Sequence, residues 1–193
     1  MKKIIIAIDS FKGCLTSAEA GKAAEKGIKS INPFCHTSVI PIADGGEGLL
    51  DVLITATKGK YITLSAHGPL MKMAKTHYGL SGNGRTAIIE MAAISGLPLV
   101  PIEQRNPMLT TTFGTGELIK DALNKGCRNF IIGIGGSATN DAGLGMLQAL
   151  GFRFLDKSGH TLGTGGQIME AVANIDTSGI HPALRETHFM VAR

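Results

Sequence analysis

Three apolar runs in this sequence each end in a polar, glycine-bearing stretch, and those stretches hold the residues best suited to chemistry. After Ile8 come Asp9, Ser10, Phe11, Lys12 and Gly13. After Ala43 come Asp44, Gly45, Gly46, Glu47 and Gly48. After Ile134 come Gly135, Gly136, Ser137, Ala138, Thr139, Asn140 and Asp141. Ligands of open α/β sheets bind outside the carboxyl ends of the strands. The three stretches are therefore expected to line one crevice.

The third stretch combines a strand end, a Gly-Gly turn and a helix start. Backbone N–H groups and a positive helix end there suit a phosphate or carboxylate. Ser137, Thr139 and Asn140 add side-chain hydrogen bonds. The same geometry equally serves a plain helix cap by Asn140 or Asp141. Asp44 and Glu47, on either side of Gly45-Gly46, suit a hard cation or the orientation of a hydroxyl. The other reading makes Asp44 a helix cap with Glu47 in the first turn. Lys12 stands a few residues past a strand end, where it suits a phosphate or carboxylate; single lysines more commonly lie in solvent. Thr110-Thr111-Thr112-Phe113-Gly114-Thr115-Gly116 precedes a helix, so its hydroxyls and glycines fit an anion or an ordinary capping turn. Glu90 ends an apolar run and is either paired in the core or part of a site. The histidines show no metal-ligand spacing.

These residues need a scaffold. Residues 3–8 form a continuous β-branched run, expected of a strand buried on both faces. Thr16-Ser17-Ala18-Glu19 reads as a capping box opening a helix to about residue 30. A second strand is expected over 39–43, and a second helix over 48–58 with Gly59 as its stop. This β-α-β-α order predicts a parallel sheet. Short strands are then expected over 61–64, 74–80 and 86–91, helices over 116–124 and 141–150, and strands over 130–134, 152–155 and 188–192. The fold class expected is α/β: two α/β domains with parallel or mixed sheets. Residues 1–60 would begin a Rossmann-like domain, and 61–193 would form a second domain carrying the Gly-rich turns. The apolar strand pattern at 188–192 has no return element after it, so the first domain is expected to be incomplete in this chain.

Composition narrows the function classes. The 193 residues carry a formal charge of +4, with seven Phe, two Tyr and no Trp. Stacking platforms for nucleic acid are scarce and the lysines are dispersed. No apolar run reaches the ~18 residues of a membrane span. The lysines before residues 4–8 resemble a signal peptide start, but the apolar run stops at Asp9. The three cysteines are far apart in sequence, against a disulfide framework or a thiolate metal site. A cytoplasmic enzyme with small-molecule substrates is expected, acting without nucleic acid or membrane, and homo-oligomerisation is compatible with the pattern. There is no P-loop signature.

One rival pattern exists. Gly133-Ile134-Gly135-Gly136-Ser137-Ala138 fits G-x-G-x-x-A, and Asp156 ends the next strand candidate. This would suit a nicotinamide-dependent dehydrogenase of a small hydroxy acid. Four polar residues around the helix start exceed what that fingerprint needs.

Five stretches resemble the bacterial-type glycerate kinase family: residues 9–20, 41–48, 84–92, 112–119 and 135–143, in order over most of the chain. The resemblance implies two α/β domains with a cleft between them, ATP and Mg as cofactors, and D-glycerate as substrate. It implies 2-phosphoglycerate as product in preference to 3-phosphoglycerate. Lys12, Asp44 and Asp141 are the expected catalytic residues. Asp9, Ser10, Gly45, Gly46, Glu47, Glu90, Thr112, Gly114, Thr115, Gly135, Gly136, Ser137, Thr139 and Asn140 are expected to bind substrate or phosphate. Mg would enter with ATP, held by Asp44 or Asp141. Family members are nearly twice as long, so a truncated form, or a non-catalytic remnant that binds a ligand, is also expected.

Overall fold

The computed structural model describes residues 3–11 and 13–193. Strand β1 (Lys3–Ile8) pairs in parallel with β2 (His36–Pro41), from Lys3 opposite His36 to Ile8 opposite Pro41. Helix α1 (Ser17–Ile31) connects them. Its capping box is present: Glu19 N–H donates to Thr16 Oγ1 at 3.2 Å, and Thr16 N–H donates to the Glu19 carboxylate at 2.9 Å. Ser17 Oγ donates to the Ile8 carbonyl at 2.6 Å and accepts from Ile42 N–H at 3.0 Å. One hydroxyl thus ties the helix start to the ends of both strands. Strand β2 begins and ends earlier than the expected 39–43. A turn closed by Cys35 N–H on the Asn32 carbonyl delivers the chain directly into the ladder. Pro41 then ends it, because proline offers no N–H for a further rung.

Helix α2 (Leu49–Thr57) ends at Lys58, which takes the left-handed conformation at φ 53° in place of the glycine expected to do so. Gly59 is needed for space instead, since a Cβ there would overlap the Leu80 carbonyl. Leu50 and Ile54 of α2 bury themselves against Ile88 of a larger sheet. That sheet has five strands. Strands β3 (Lys60–His67), β4 (Met73–Leu80) and β5 (Thr86–Glu90) run antiparallel in sequence, and β6 (Asn129–Gly133) and β9 (His188–Ala192) continue in parallel with β5, in the order β3-β4-β5-β6-β9. In β5, Ala87, Ile88 and Ile89 are all buried. Successive strand residues face opposite layers. Ile88 meets α2, whereas Ala87 and Ile89 join Phe130 and Ile132 under the opposite face.

That opposite face is covered by α3 (Ala92–Ser95), α4 (Phe113–Asn124) and α5 (Leu144–Ala149), with Ile94, Leu118, Ile119 and Leu123 in the core. Each fully buried aliphatic side chain of this kind contributes roughly 1.5–3 kcal/mol of transfer free energy. Helix α4 starts three residues before the expected 116. Helix α5 starts three residues after the expected 141, because Ala142 and Gly143 adopt positive φ of 50° and 76°. Neither Asn140 nor Asp141 is therefore its N-cap. Strands β7 (Arg153–Leu155) and β8 (Asn174–Asp176) form a separate antiparallel pair. Among the described residues no helix is long and apolar enough to cross a membrane.

Candidate active site

The carboxyl ends of β5, β6 and β9 meet the segment 44–48. Gly135 N–H donates to the Gly45 carbonyl at 3.3 Å, and Ile134 N–H donates to the Ala192 carbonyl at 3.3 Å. Gly48 N–H donates to Glu90 Oε1 at 2.9 Å. The approach is too close for side chains. A Cβ on Gly45, whose φ is 92°, would sit 2.5 Å from the Ala192 carbonyl carbon. A Cβ on Gly135 would sit 2.6 Å from Gly46 Cα. Here the glycines are fixed by contact between two backbones.

Around this contact stand the acids. Asp44 is exposed, and its Oδ1 accepts from Gly46 N–H at 3.0 Å. Glu47 is exposed as well. Glu90 is partly buried at the amino end of α2. Burial pushes its pKa up, and the backbone N–H groups of Gly48 and Leu50 counteract part of that rise.

A cavity of about 340 Å³ separates the first and second stretches. Ser10, Cys14 and Thr16 line one wall, and Glu47, Gly48 and Asp51 line the other. Asp9 sits beside it and accepts from Ser10 N–H at 2.6 Å. Lys12 lies outside the described residues. The third stretch opens elsewhere: Ser137, Ala138 and Thr139 line a second cavity of about 240 Å³ with Leu97, Val100 and Arg105. The expected single crevice is thus two cavities, and the stretches that line them touch through Gly46 and Gly135. Gly136 takes φ 75° in the turn, and its carbonyl accepts from Leu97 N–H at 3.0 Å. Ser137 Oγ and Thr139 Oγ1 are 2.8 Å apart, and Asn140 is exposed beyond them.

Asp141 is not in either cavity. It is 1% exposed, and its carboxylate is filled by donors from the protein. Oδ2 accepts from Thr112 N–H at 2.8 Å, Gly145 N–H at 3.1 Å and Thr111 Oγ1 at 3.1 Å. Oδ1 accepts from Gly143 N–H at 3.0 Å and Thr112 Oγ1 at 3.1 Å. The expectation that Asp141 holds a metal or touches substrate gives way to this internal role. The expected anion at the start of α4 is Asp141 itself. Thr115 is buried with its Oγ1 2.9 Å from Ser95 Oγ, and Gly114 backs onto the His67 carbonyl. Thr112, Gly114 and Thr115 therefore build the support beneath the turn.

Among the described residues no group of three or more His, Cys, Asp or Glu could hold a metal ion. Asp44 and Glu47 fit Mg²⁺ only in the manner of an ion that keeps waters and takes most of its other ligands from phosphate. The dinucleotide fingerprint fails on geometry. The turn after β6 does not run straight into a helix, since α5 begins only at Leu144. Asp156 follows β7, which is not a strand of the larger sheet, and its carboxylate is used by the N–H groups of Ser158 and His160.

The glycerate kinase family model matches residues 4–193. The chain belongs to the glycerate kinase family. It is 53% identical to a glycerate kinase of Bacillus subtilis (strain 168) over 98% of its length, and 48% identical to a glycerate 2-kinase of Escherichia coli (strain K12) over 98% of its length. It covers 50% of each of those proteins, so it spans about half the length of the curated relatives it matches. It also superposes on the crystal structure of a candidate glycerate kinase 2 from Salmonella typhimurium LT2, with a TM-score of 0.86 at 47% identity, covering 100% of this chain and 52% of that one. The mixed α/β architecture with parallel and mixed sheets is shared with that structure.

Arg105, Cys14 and Asp51 line the cavities without having been expected there. Cys14 and Asp51 sit within or beside stretches already singled out. Arg105 carries no signal in the sequence, because its neighbours Glu103, Gln104 and Asn106 read as an ordinary polar loop.

Proposed function

We propose that this chain forms part of the active site of an enzyme that transfers the γ-phosphoryl group of ATP to D-glycerate, giving 2-phosphoglycerate in preference to 3-phosphoglycerate. The observation that carries this reading is the meeting of Ser10, Phe11 and Gly13 with Glu47 and Gly48 across one cavity, in a chain about half identical to glycerate kinases. The relative named a glycerate 2-kinase supports the choice of product.

Phosphoryl transfer calls for positioning and charge neutralisation more than for covalent help from the protein. Glu47 is an exposed carboxylate lining the cavity, and Asp44 is exposed on the same short segment. Asp44 orients the glycerate hydroxyl and takes its proton as the oxygen bonds to the γ-phosphorus and the bond to ADP breaks. Asp9 and Ser10 position substrate, and Lys12 offsets anionic charge. Gly45 and Gly46 let the backbones approach, and Glu90 holds the 44–48 segment in place through Gly48. Gly135, Gly136, Ser137, Thr139 and Asn140 offer backbone and hydroxyl partners for oxyanions. Mg²⁺ bound with ATP would offset charge on the phosphates, with Asp44 and Glu47 as its protein partners.

A coupled ADP-release assay on the purified protein containing this chain tests the reading across small hydroxy acids. ADP release dependent on D-glycerate and Mg²⁺ is expected, with 2-phosphoglycerate identified by mass spectrometry and NMR. No glycerate-dependent ADP, with NADH formed when NAD is supplied, would replace it with the dehydrogenase reading.

A further inference from the structure

The second cavity has a cation with no partner acid. Arg105 lines it, and among the described residues no carboxylate lies within ion-pair distance of the guanidinium. None of the residues lining the cavity is acidic. Its Nε–H donates to the Val100 carbonyl at 3.3 Å, which fixes one edge of the guanidinium plane. Ser137 and Thr139 contribute hydroxyls to the same cavity, and Leu97, Val100 and Pro107 supply apolar wall.

The turn that carries Ser137 and Thr139 is held firmly. Thr110 Oγ1 donates to the Ala138 carbonyl at 2.7 Å, and Ala138 N–H donates to the Ser95 carbonyl at 2.9 Å. Leu97 N–H closes on the Gly136 carbonyl at 3.0 Å. The turn after β6 is thus clamped between the segment that follows α3 and the segment that carries Arg105. A guanidinium and two hydroxyls in a cavity lined by no acid suit an oxyanion. About 240 Å³ suits a carboxylate-bearing three-carbon acid or a phosphoryl group, and is small for a whole nucleotide.

We propose that Arg105, with Ser137 and Thr139, forms an oxyanion-binding subsite of this enzyme. The proposal rests on the glycerate kinase reading and extends it to a residue outside the stretches that carry the family resemblance. The oxyanion comes either from the carboxylate of glycerate or from a phosphate of ATP, and the two sources separate in kinetics. A charge-assisted contact of this kind is worth about tenfold or more in affinity. Arg105→Ala should raise KM about tenfold or more for one substrate and leave the other within about twofold. A rise for D-glycerate assigns the carboxylate, and a rise for ATP assigns a phosphate. Arg105→Lys keeps the charge but loses the planar fork, and should fall between wild type and Arg105→Ala. Thermal unfolding of both variants should match wild type, because the side chain is exposed. Unchanged KM for both substrates in an active enzyme overturns the subsite and leaves the kinase reading intact. If the wild-type protein lacks glycerate kinase activity, calorimetric titration with D-glycerate and with tripolyphosphate decides the matter. Weaker binding of either probe to Arg105→Ala sustains the subsite, and equal or absent binding in both proteins overturns it.

Discussion

The backbone N–H of Thr112 points at the carboxylate of Asp141, 2.8 Å from Oδ2, at the start of the twelve-residue helix α4. A helix start attracts an anion through its unpaired N–H groups and dipole. In this protein the anion belongs to the chain. Asp141 in turn binds the N–H groups of Gly143 and Gly145, so one carboxylate fastens α4 to the segment that leads into α5.

Asp141→Asn should therefore act through stability. An amide NH₂ would face donors that need an acceptor, inside a site that is 1% exposed. A loss of about 3 kcal/mol or more is expected, since the donors cannot turn to water. Urea unfolding measures it. A normal midpoint combined with lost turnover would return Asp141 to direct contact with substrate or metal.

Asp44→Asn should give the opposite pattern. The residue is exposed, and an Asn oxygen can still accept from Gly46 N–H. Stability should change little. Turnover should fall ~10²-fold or more, the scale of a lost acid/base contact. Near-normal kcat in the variant rules out the proton-accepting role.

Gly135→Ala tests the backbone contact between the 44–48 segment and the turn after β6. Its Cβ would lie 2.6 Å from Gly46 Cα, so one segment has to move. Overpacking of this kind costs about 1–3 kcal/mol. KM and kcat should both worsen, because the two segments that flank the contact would shift apart. An equally stable and active variant would show that the contact is loose enough to give way.

The capping box at Thr16 and the apolar runs of β5, β6 and β9 were legible in the sequence, because capping and apolar runs are local signals, although β9 turns out largely exposed. The Gly-rich turn after β6 was legible as a strand-end feature for the same reason. The Asp141 clamp was not. Four threonine hydroxyls near a helix start look alike whether the anion is a ligand or a residue thirty positions away, and only tertiary contact tells them apart. The β-α-β-α order likewise says nothing about which sheet α2 covers. Its Leu50 and Ile54 lie on Ile88 of the larger sheet, an outcome of long-range packing. Arg105 was invisible because a cavity is formed by distant segments and no local pattern encodes it.

Glu90 predicts a pH dependence. Burial raises its pKa in the folded state, so the folded protein holds this proton to higher pH than the unfolded chain does. Stability attributable to Glu90 should therefore fall as pH rises from the ordinary carboxylate range through the raised value. Glu90→Gln removes the charge, and its side-chain oxygen can still accept from Gly48 N–H. The variant should show a flatter stability profile across that window and should match or exceed wild type at neutral pH. A steeper loss for wild type toward low pH, absent in Glu90→Gln, would contradict the sign.

β1 and β2 should be the first strands to open. Parallel strands are normally covered on both faces, and a two-stranded unit buries little. In this sheet only Ile6 of β1 is buried, while Ile5 is 59% exposed and Ile40 of β2 is 49% exposed. β5 and β6, by contrast, lie between two helical layers in the five-stranded sheet. Opening β1–β2 costs far fewer buried contacts than opening β5–β6, so the two should exchange amide hydrogens on different scales. In the isolated 193-residue chain, residues 3–8 should lose protection well before residues 86–90 and 129–133, unless copies associate through the apolar surface of β1 and β2. Association would appear as protection that rises with protein concentration, alongside a larger mass in sedimentation. A concentration-independent monomer with protection over 3–8 equal to that over 86–90 would show that α1 alone suffices to hold the pair.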